Sequence, residues 1–243
     1  MHALSNTKFL ELWEHGCRLH PLDRALSAIC ASLEPGEIAE SSVADWPLGQ
    51  RNRALAQVRM LYFGPNLEGW TGCPQCGEKL EFKVDCRAIA EARLPETEQR
   101  VSVGGEMYRL PTSRDLALVA GEVDAERAAL QLLEHCALEK GANSEAIRPT
   151  PDAVEEIAAK MAEADPMAEI ILGFDCPVCS HASREVLDLA AFLWSEIGSR
   201  ARQLLSEVHS LAVAYGWTET TILGMSDVRR AGYLRMVDGM SQA

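Results

Sequence analysis

Apolar residues recur every three or four positions over most of the chain, the spacing that predicts helices. Predicted helices cover residues 22–33, 47–63, 112–121, 124–139, 150–165, 189–215 and 226–237, and the first twenty residues carry a similar pattern. Gly64 and Gly216 each follow one of these helices and predict where it ends. Thr150, directly before Pro151, predicts a capped helix start. The longest predicted helix is amphipathic, with one continuous apolar face.

Three shorter segments follow a period of two and predict strands. Residues 78–85 alternate apolar and charged side chains, which is typical of a half-buried strand. Residues 100–111 show the same alternation around Gly104 and Gly105, and this pair of glycines predicts a tight hairpin turn. A third strand-like segment follows Cys179.

Two segments, TGCPQCGEKLEF and DCPVCSHASREV, share a Cys-Pro-x-Cys turn followed by polar residues and a strand-like segment. The first turn holds Cys73 and Cys76, and the second holds Cys176 and Cys179. Four thiolates from two such turns are the donor set of a zinc ribbon, in which Zn²⁺ is tetrahedral. The sequence therefore predicts one structural Zn²⁺ bound by these four residues.

Other roles for the cysteines and their neighbours stay open at this point. His181 could replace a cysteine and Cys86 could approach the metal, although a polar turn residue and a buried thiol are the simpler interpretations. A redox pair in either turn is a further alternative, but such pairs open a helix, whereas each pair here precedes a strand-like segment. Cys30 and Cys136 lie within apolar helical patterns and are predicted to be buried thiols.

Together these elements predict an α+β protein that is predominantly helical, with a split four-cysteine zinc ribbon, a β-hairpin and a helical insertion between the halves of the ribbon. The predicted regions are an N-terminal helical region (1–68), the split ribbon (69–86 and 168–188), the hairpin with the helical insertion (87–167) and a C-terminal helical region (189–243). Because the entropy of loop closure grows only logarithmically with length, such an insertion is compatible with one metal site.

The charge of the chain narrows the classes of partner. The 243 residues include 36 acidic and 23 basic side chains, a formal net charge of -13. This charge opposes the phosphate contacts that supply most nucleic-acid affinity. The chain does not start with a basic segment followed by an apolar one, and no apolar run approaches the length of a membrane span. We therefore expect a cytoplasmic protein, in which cysteines stay reduced or bind metal.

Enzyme signatures are absent from the sequence, including phosphate-binding loops, nucleophile elbows and metalloprotease helices. Glu207 and His209 share a predicted helix and could perform acid–base chemistry. An ion pair between Glu196 and Arg200, with His209 packing or capping, is the simpler interpretation of this helix. We expect no enzymatic activity.

Several motifs occur in a fixed order: RN at residues 51–52, the two Cys-Pro-x-Cys turns, EVH at residues 207–209 and YGW at residues 215–217. In this combination the chain resembles a family of zinc-ribbon proteins encoded with contractile phage tails and phage-like contractile injection systems, related to baseplate hub or hub-assembly proteins of T-even-type phages. The resemblance covers residues 46–86 and 168–237. It implies a non-enzymatic structural or assembly component, cytoplasmic or incorporated in the particle. The implied partners are baseplate, hub or tail-tube proteins, with no nucleic acid and no small-molecule substrate.

Aromatic and arginine side chains of the C-terminal region are candidate partner contacts, because these residue types dominate binding hot spots. The candidates are Trp194, Tyr215, Trp217, Arg229 and Arg230. Each aromatic residue could instead belong to the core, and the two arginines could form a solvated helix face. The alternative function is that of a zinc-ribbon adaptor in a nucleic-acid or transcription complex, which the net charge disfavours.

Overall fold

The computed structural model describes residues 1–34, 40–93, 100–138 and 150–240. These residues form the predicted α+β fold, in which helices predominate. The helices are α1 Asn6–Gly16, α2 Pro21–Ser32, α3 Glu40–Val43, α4 Leu48–Phe63, α5 Cys86–Ala90, α6 Ser113–Val119, α7 Ala125–Cys136, α8 Pro151–Ala164, α9 Leu189–Tyr215, α10 Glu219–Leu223 and α11 Asp227–Met240. The strands are β1 Asn66–Gly72, β2 Lys79–Asp85, β3 Arg100–Val103, β4 Glu106–Arg109, β5 Ile171–Asp175 and β6 Ala182–Val186. Within the described ranges they form three antiparallel hairpins: β1 with β2, β3 with β4, and β5 with β6.

Residues that were predicted to begin or end a helix, or to form a hairpin turn, do so in the structure. Gly64 ends α4 with a φ of 78°, a left-handed conformation that glycine adopts without steric cost. The side chain of Thr150 accepts a hydrogen bond from the backbone of the first turn of α8. Gly104 and Gly105 form the β3–β4 turn with φ values of 60° and 86°. Short-range sequence chemistry therefore determines these boundaries.

Other elements depart from the predicted pattern. The strands β1 and β5 precede the two cysteine turns, where the sequence shows only short segments with apolar residues and glycines. The short helix α5 also lacks a helical period because it contains five residues. The predicted helix over residues 124–139 ends at Cys136 as α7, and Glu139 lies outside the described residues.

The chain divides into two compact units. The first comprises Met1–Glu34 and Ala190–Ala243, and the second comprises Pro35–Leu189. This division differs from the four predicted regions, because the first two helices group with the C-terminal helices, whereas residues 35–68 group with the ribbon and the insertion. Each unit has its own buried apolar residues.

The core of the first unit follows one face of α9. Leu193, Ile197, Leu204 and Leu211 are each at most 1% exposed. Their spacings of four and seven residues place them on a single stripe of the helix. The amphipathic pattern of this long segment therefore marks the core as predicted.

A buried arginine connects α9 with α11 in the first unit. The Arg230 guanidinium is 1% exposed and donates to Glu207 at 2.5 Å, to Asp227 at 2.7 Å and to the carbonyl of Met225 at 3.2 Å. Arg200 donates to the second carboxylate oxygen of Glu207 at 3.2 Å. Charge-assisted hydrogen bonds are stronger than neutral ones, so this network fixes how the two helices pair.

The insertion in the second unit has its own core, in which α7 and α8 cover the β3–β4 hairpin. The buried residues of this core are Val101, Val103, Tyr108, Leu110, Leu133, Cys136, Ile157 and Met161. Beside it, both carboxylate oxygens of Asp115 accept hydrogen bonds from Arg109, at 2.7 and 2.6 Å, and one also accepts from Thr112. The insertion is thus a packed structure rather than a long loop.

Polar contacts tie the start of α4 to the segment that leads into β5. Asp165 is 1% exposed and accepts a hydrogen bond from the Gly49 amide at 2.8 Å. The Asn52 side chain donates to the carbonyls of Met167 and Ala168, at 2.8 and 3.1 Å. A Cβ atom at Gly49 would lie 1.8 Å from the Asp165 carboxylate, so only glycine fits. Since α4 leads into β1, these contacts hold together the two segments that flank the insertion.

We expect Asp165→Asn to make the stability of the protein less dependent on pH. Burial raises the pKa of Asp165 above its ordinary value of 3.8, although the Gly49 amide lowers it. A carboxyl group with a raised pKa stabilises the fold fully below its ordinary pKa, and this contribution is lost as the pH rises through the folded value. Urea unfolding measures the free energy of unfolding at about pH 4 and about pH 7. From the lower to the higher pH, the value for the wild type should fall relative to that for the variant.

Asp165→Ala is the control for this experiment. It removes the acceptor of the Gly49 amide, so it should destabilise the protein at both pH values by about 1–3 kcal/mol. A wild-type protein that gains stability over the asparagine variant as the pH rises would contradict the expected cost of this buried carboxylate.

Candidate metal centre

Two hairpins of the same design carry the four cysteines of the predicted zinc ribbon. We call them the first hook (residues 66–85: β1, its turn and β2) and the second hook (residues 171–186: β5, its turn and β6). In the first hook, the Cys73 amide donates to the Glu78 carbonyl at 2.8 Å, and the Gly77 amide donates to the Cys73 carbonyl at 2.8 Å. These two bonds close the turn that contains both cysteines of the hook.

The second hook repeats this pattern at equivalent positions. The Cys176 amide donates to the His181 carbonyl at 3.0 Å, and the Ser180 amide donates to the Cys176 carbonyl at 2.9 Å. Ser180 occupies the position of Gly77, and the two residues have left-handed φ values of 58° and 76°. Among the described residues, Ser180 is the one non-glycine residue with a positive φ. The second turn therefore has the same conformation as the first despite a steric cost.

The two hooks meet at their sulfur atoms. The Sγ atoms of Cys73 and Cys179 are 3.6 Å apart, as are those of Cys76 and Cys176. All four sulfurs lie within 4.8 Å of one another. Sulfurs bound at tetrahedral corners about 2.3 Å from a zinc ion would be about 3.8 Å apart, whereas disulfide sulfurs are about 2.05 Å apart. The cluster is thus a group of free thiols that can hold a metal ion.

The electrostatics of the cluster favour a cation. A hydrogen bond from the Cys76 backbone has the largest influence on the Cys73 thiol and lowers its pKa. Burial raises this pKa, but with a further hydrogen bond from the Gln75 backbone the value falls to about 6. For Cys76 the Glu78 amide is the largest single influence and lowers the pKa, but burial and the other three thiols raise it to about 12. The first thiolate forms readily and further negative charge is opposed. A bound cation relieves this repulsion.

Apolar side chains surround the inner part of the cluster and join the hooks. Cys73 and Cys176 are 3% and 2% exposed and pack with Leu80 and Phe174. The Phe82 ring of the first hook meets the Phe174 ring of the second edge to face, with the ring centroids 5.9 Å apart. The hooks are therefore held by a small apolar contact as well as by their sulfur atoms.

Neither alternative ligand belongs to the cluster of sulfurs in the described residues. His181 takes part through its backbone, because its amide hydrogen bonds to the Cys179 sulfur. Cys86 is fully buried in α5, where a guanidinium group of α4 lies 3.8 Å from its sulfur. Cys136 is fully buried as predicted, and Cys30 is half-buried.

Three of the five predicted partner contacts, Tyr215, Trp217 and Arg229, lie in one group formed by the end of α9 and by α11. Tyr215 and Trp217 stack with their ring centroids 4.5 Å apart. Tyr233 of α11 meets both rings edge to face, at 5.7 and 4.8 Å, and the Arg229 guanidinium lies 5.9 Å from the centroid of the Tyr233 ring. We call these four residues the aromatic patch. Its rings are half-buried and Arg229 is exposed. The prediction missed Tyr233, although its position four residues after Arg229 places the two on one helix face.

The remaining predicted contacts are used inside the first unit. The Trp194 ring is so close to α1 that a Cβ atom at Gly16 would lie 2.1 Å from it, and the Arg24 guanidinium lies 5.4 Å from the Trp194 ring centroid. The prediction that Arg230 lies on a solvated or partner-binding helix face is wrong. Its side chain is 1% exposed because two carboxylates, including that of Glu207, bind it within the unit.

Glu207, one of the two residues considered for acid–base chemistry, is bound by two arginines. Both oxygens of Glu207 accept hydrogen bonds from guanidinium groups, one from Arg230 and one from Arg200. His209 is exposed on the same helix.

Comparisons of the chain with family models, with curated proteins and with solved structures return no match. The interpretation of the cluster therefore depends on its geometry and donor atoms. None of the described helices combines the length and apolar character that crossing a membrane requires.

We expect Ser180→Gly to stabilise the second hook by about 1 kcal/mol, because glycine adopts a left-handed φ without steric cost. Gly77→Ser is the matched change in the first hook and should destabilise the protein by a similar amount. A Cβ atom at Gly77 would meet nothing within 4 Å, so its effect is conformational rather than a clash. Urea unfolding of the wild type and of both variants under the same conditions measures these changes. Equal stability of wild type and both variants would contradict the strain assigned to Ser180.

Proposed function

We propose that the four cysteines hold one structural Zn²⁺ and that the chain is a non-enzymatic component that binds other proteins. The observation that carries this proposal is the closed donor set. Four thiolates complete the tetrahedral coordination that zinc adopts in structural sites, whereas catalytic zinc keeps a position open for water or substrate. Such a site supplies a cross-link between the two hooks and compensates the charge of the thiolates.

The position of the cross-link supports a scaffolding role. Its ligands come from hooks whose cysteines are 100 and 106 residues apart along the chain. The insertion between the hooks has a core of its own, so the ion would fix the two ends of a packed structure rather than order a flexible loop. A cross-link of this kind would hold the surfaces of the unit in fixed positions, where partners can bind them.

The resemblance of the motifs supports placing this role in a contractile phage tail or a phage-like contractile injection system. There the chain would act as a structural or assembly component of the baseplate or hub. Its partners would be baseplate, hub or tail-tube proteins. Residues 51–52 of the shared motifs lie at the contact between α4 and the segment entering the second hook, and residues 215–217 include two rings of the aromatic patch.

The aromatic patch is the surface that we propose for partner binding. It combines tyrosine, tryptophan and arginine, the residue types that contribute most at protein interfaces. Arg229 is exposed and adds a positive charge, which favours a partner surface of opposite charge. Arg230 lies inside the first unit and is excluded from this surface.

Zinc binding is tested by native mass spectrometry of freshly purified protein. The wild type and Cys17→Ser should each carry one zinc ion per chain, because Cys17 is exposed and outside the cluster. Cys73→Ser should lose the ion, since it removes one of four donors. A chelator should lower the thermal stability of the zinc-loaded proteins. Protein that is free of metal and equally stable would refute the structural zinc site.

The partner surface is tested with two neighbouring arginines in a strain that produces a contractile particle. Deletion of the gene should leave tubes or sheaths without complete baseplates. Arg229→Ala should retain normal thermal stability yet reduce complementation of the deletion. Arg230→Ala, the matched control, should destabilise the protein by about 3 kcal/mol because it removes a buried guanidinium and its hydrogen bonds to Glu207 and Asp227. Intact particles from the deletion strain would end the assembly proposal, and full complementation by Arg229→Ala would remove Arg229 from the partner surface.

One observation favours the adaptor function as a second candidate. Trp70 on the first hook is 66% exposed, and the Lys79 ammonium lies 5.8 Å from the centroid of its ring. An aromatic ring beside a cation is a platform on which bases of single-stranded nucleic acids stack. The net charge of -13 opposes such binding.

We therefore expect no salt-sensitive binding when short single-stranded DNA and RNA are titrated with the protein and fluorescence anisotropy is measured. Binding that weakens with salt and is lost in Trp70→Ala would favour the adaptor. Lys83→Ala on the same hairpin serves as the charge control, because it removes a cation that pairs with Glu68.

A further inference from the structure

In each of the two sulfur pairs at 3.6 Å, a cysteine that is more accessible to solvent lies next to a buried cysteine of the opposite hook. Cys76 is exposed and lies next to Cys176, which is 2% exposed. Cys179 is half-buried and lies next to Cys73, which is 3% exposed. A small oxidant in solution can therefore reach one cysteine of each pair, and a buried sulfur of the opposite hook lies 3.6 Å from it.

We propose that the cluster is a thiol-oxidation site at which peroxides form disulfides across the hooks, Cys76 with Cys176 and Cys73 with Cys179. This inference depends on the positions and exposure of the sulfurs, and it holds whichever metal the cluster binds. It goes beyond the proposed structural zinc site by assigning the cluster a defined covalent product.

The chemistry balances with one peroxide for each disulfide. The Cys76 thiol first loses its proton to solvent; its sulfur then attacks one oxygen of hydrogen peroxide, the O–O bond breaks, hydroxide leaves and a sulfenic acid forms. The Cys176 thiolate then attacks the Cys76 sulfur, the S–O bond breaks, a second hydroxide leaves and the S–S bond forms. The two sulfurs lose two electrons in total, and the peroxide is reduced to two hydroxide ions that take up protons from solvent. A second peroxide oxidises Cys179 and Cys73 in the same way.

The pairing decides what oxidation does to the fold. A disulfide within one hook would use up its thiolates and leave the hooks unconnected. Disulfides across the hooks connect the same positions as the metal site, residues 100 and 106 apart along the chain. The ends of the insertion then stay joined after the cluster has lost its thiolates, and with them its capacity to hold a metal ion.

The other cysteines supply internal controls. Cys86 and Cys136 are fully buried and should stay reduced under the same treatment. Cys17 is exposed and could form disulfides between chains. The experiment therefore uses the full-length Cys17→Ser protein, in which this side reaction is removed while the cluster is unchanged.

The test is peptide mapping after treatment with hydrogen peroxide. Free thiols are blocked with N-ethylmaleimide, and trypsin then releases residues 60–79, which contain both cysteines of the first hook, and residues 161–184, which contain both of the second. Cross-hook oxidation links these two peptides, and fragmentation of the linked species identifies Cys76 with Cys176 and Cys73 with Cys179. Oxidation within a hook leaves them separate, each lighter by two hydrogens.

The linked peptides should be the main oxidised product, and the metal should be released in proportion to them. Separate peptides with disulfides inside each hook, sulfinic acids in place of disulfides, or thiols that remain free would each overturn the inference. Metal content is measured on the same sample before oxidation. Linked peptides from metal-free protein would support this site while refuting the structural zinc, and separate peptides from zinc-loaded protein would do the reverse.

Discussion

The meeting of four cysteine sulfurs from two hooks is the contact on which the second unit depends. The sulfurs lie within 4.8 Å of one another, although about one hundred residues separate the two cysteine pairs along the chain. The entropic cost of closing a flexible loop grows only logarithmically with its length, so a long insertion adds little to it. The insertion also has an apolar core of its own. Four thiolates packed this closely would repel one another, so a bound cation would stabilise the cluster.

A second set of contacts holds the same ends of the insertion without any metal. Asp165 binds the Gly49 amide, and Asn52 binds two carbonyls of the segment that enters the second hook. Since all these groups are largely buried, their hydrogen bonds exchange little with water and are costly to break. A metal ion in the cysteine cluster would therefore join the same two segments that this polar contact joins through hydrogen bonds between side chains and backbone.

In the first unit, two neighbouring arginines have different environments. Arg230 is buried against Glu207, whereas Arg229 is exposed beside the ring of Tyr233. The sequence RR does not distinguish them, because the arginine that turns inward is the one that meets Glu207 of α9, a residue distant in sequence. The four cysteines, by contrast, could be predicted together because Cys-Pro-x-Cys turns form through local backbone hydrogen bonds and metal ligation requires a fixed number of donors. Long helices were predictable from their period, but the strand β1, with two glycines in seven residues, depends on its pairing with β2. The fold class and the donor set could thus be read from local patterns, while the buried ion network and the contact at Asp165 depend on residues far apart in sequence.

X-ray absorption spectroscopy at the zinc edge of the purified full-length protein tests the central claim most directly. The account predicts a single shell of four sulfur atoms at about 2.3 Å from the metal. A mixed shell with nitrogen or oxygen at about 2.0–2.1 Å, or fewer than four sulfurs, would contradict a closed four-thiolate clasp between the hooks.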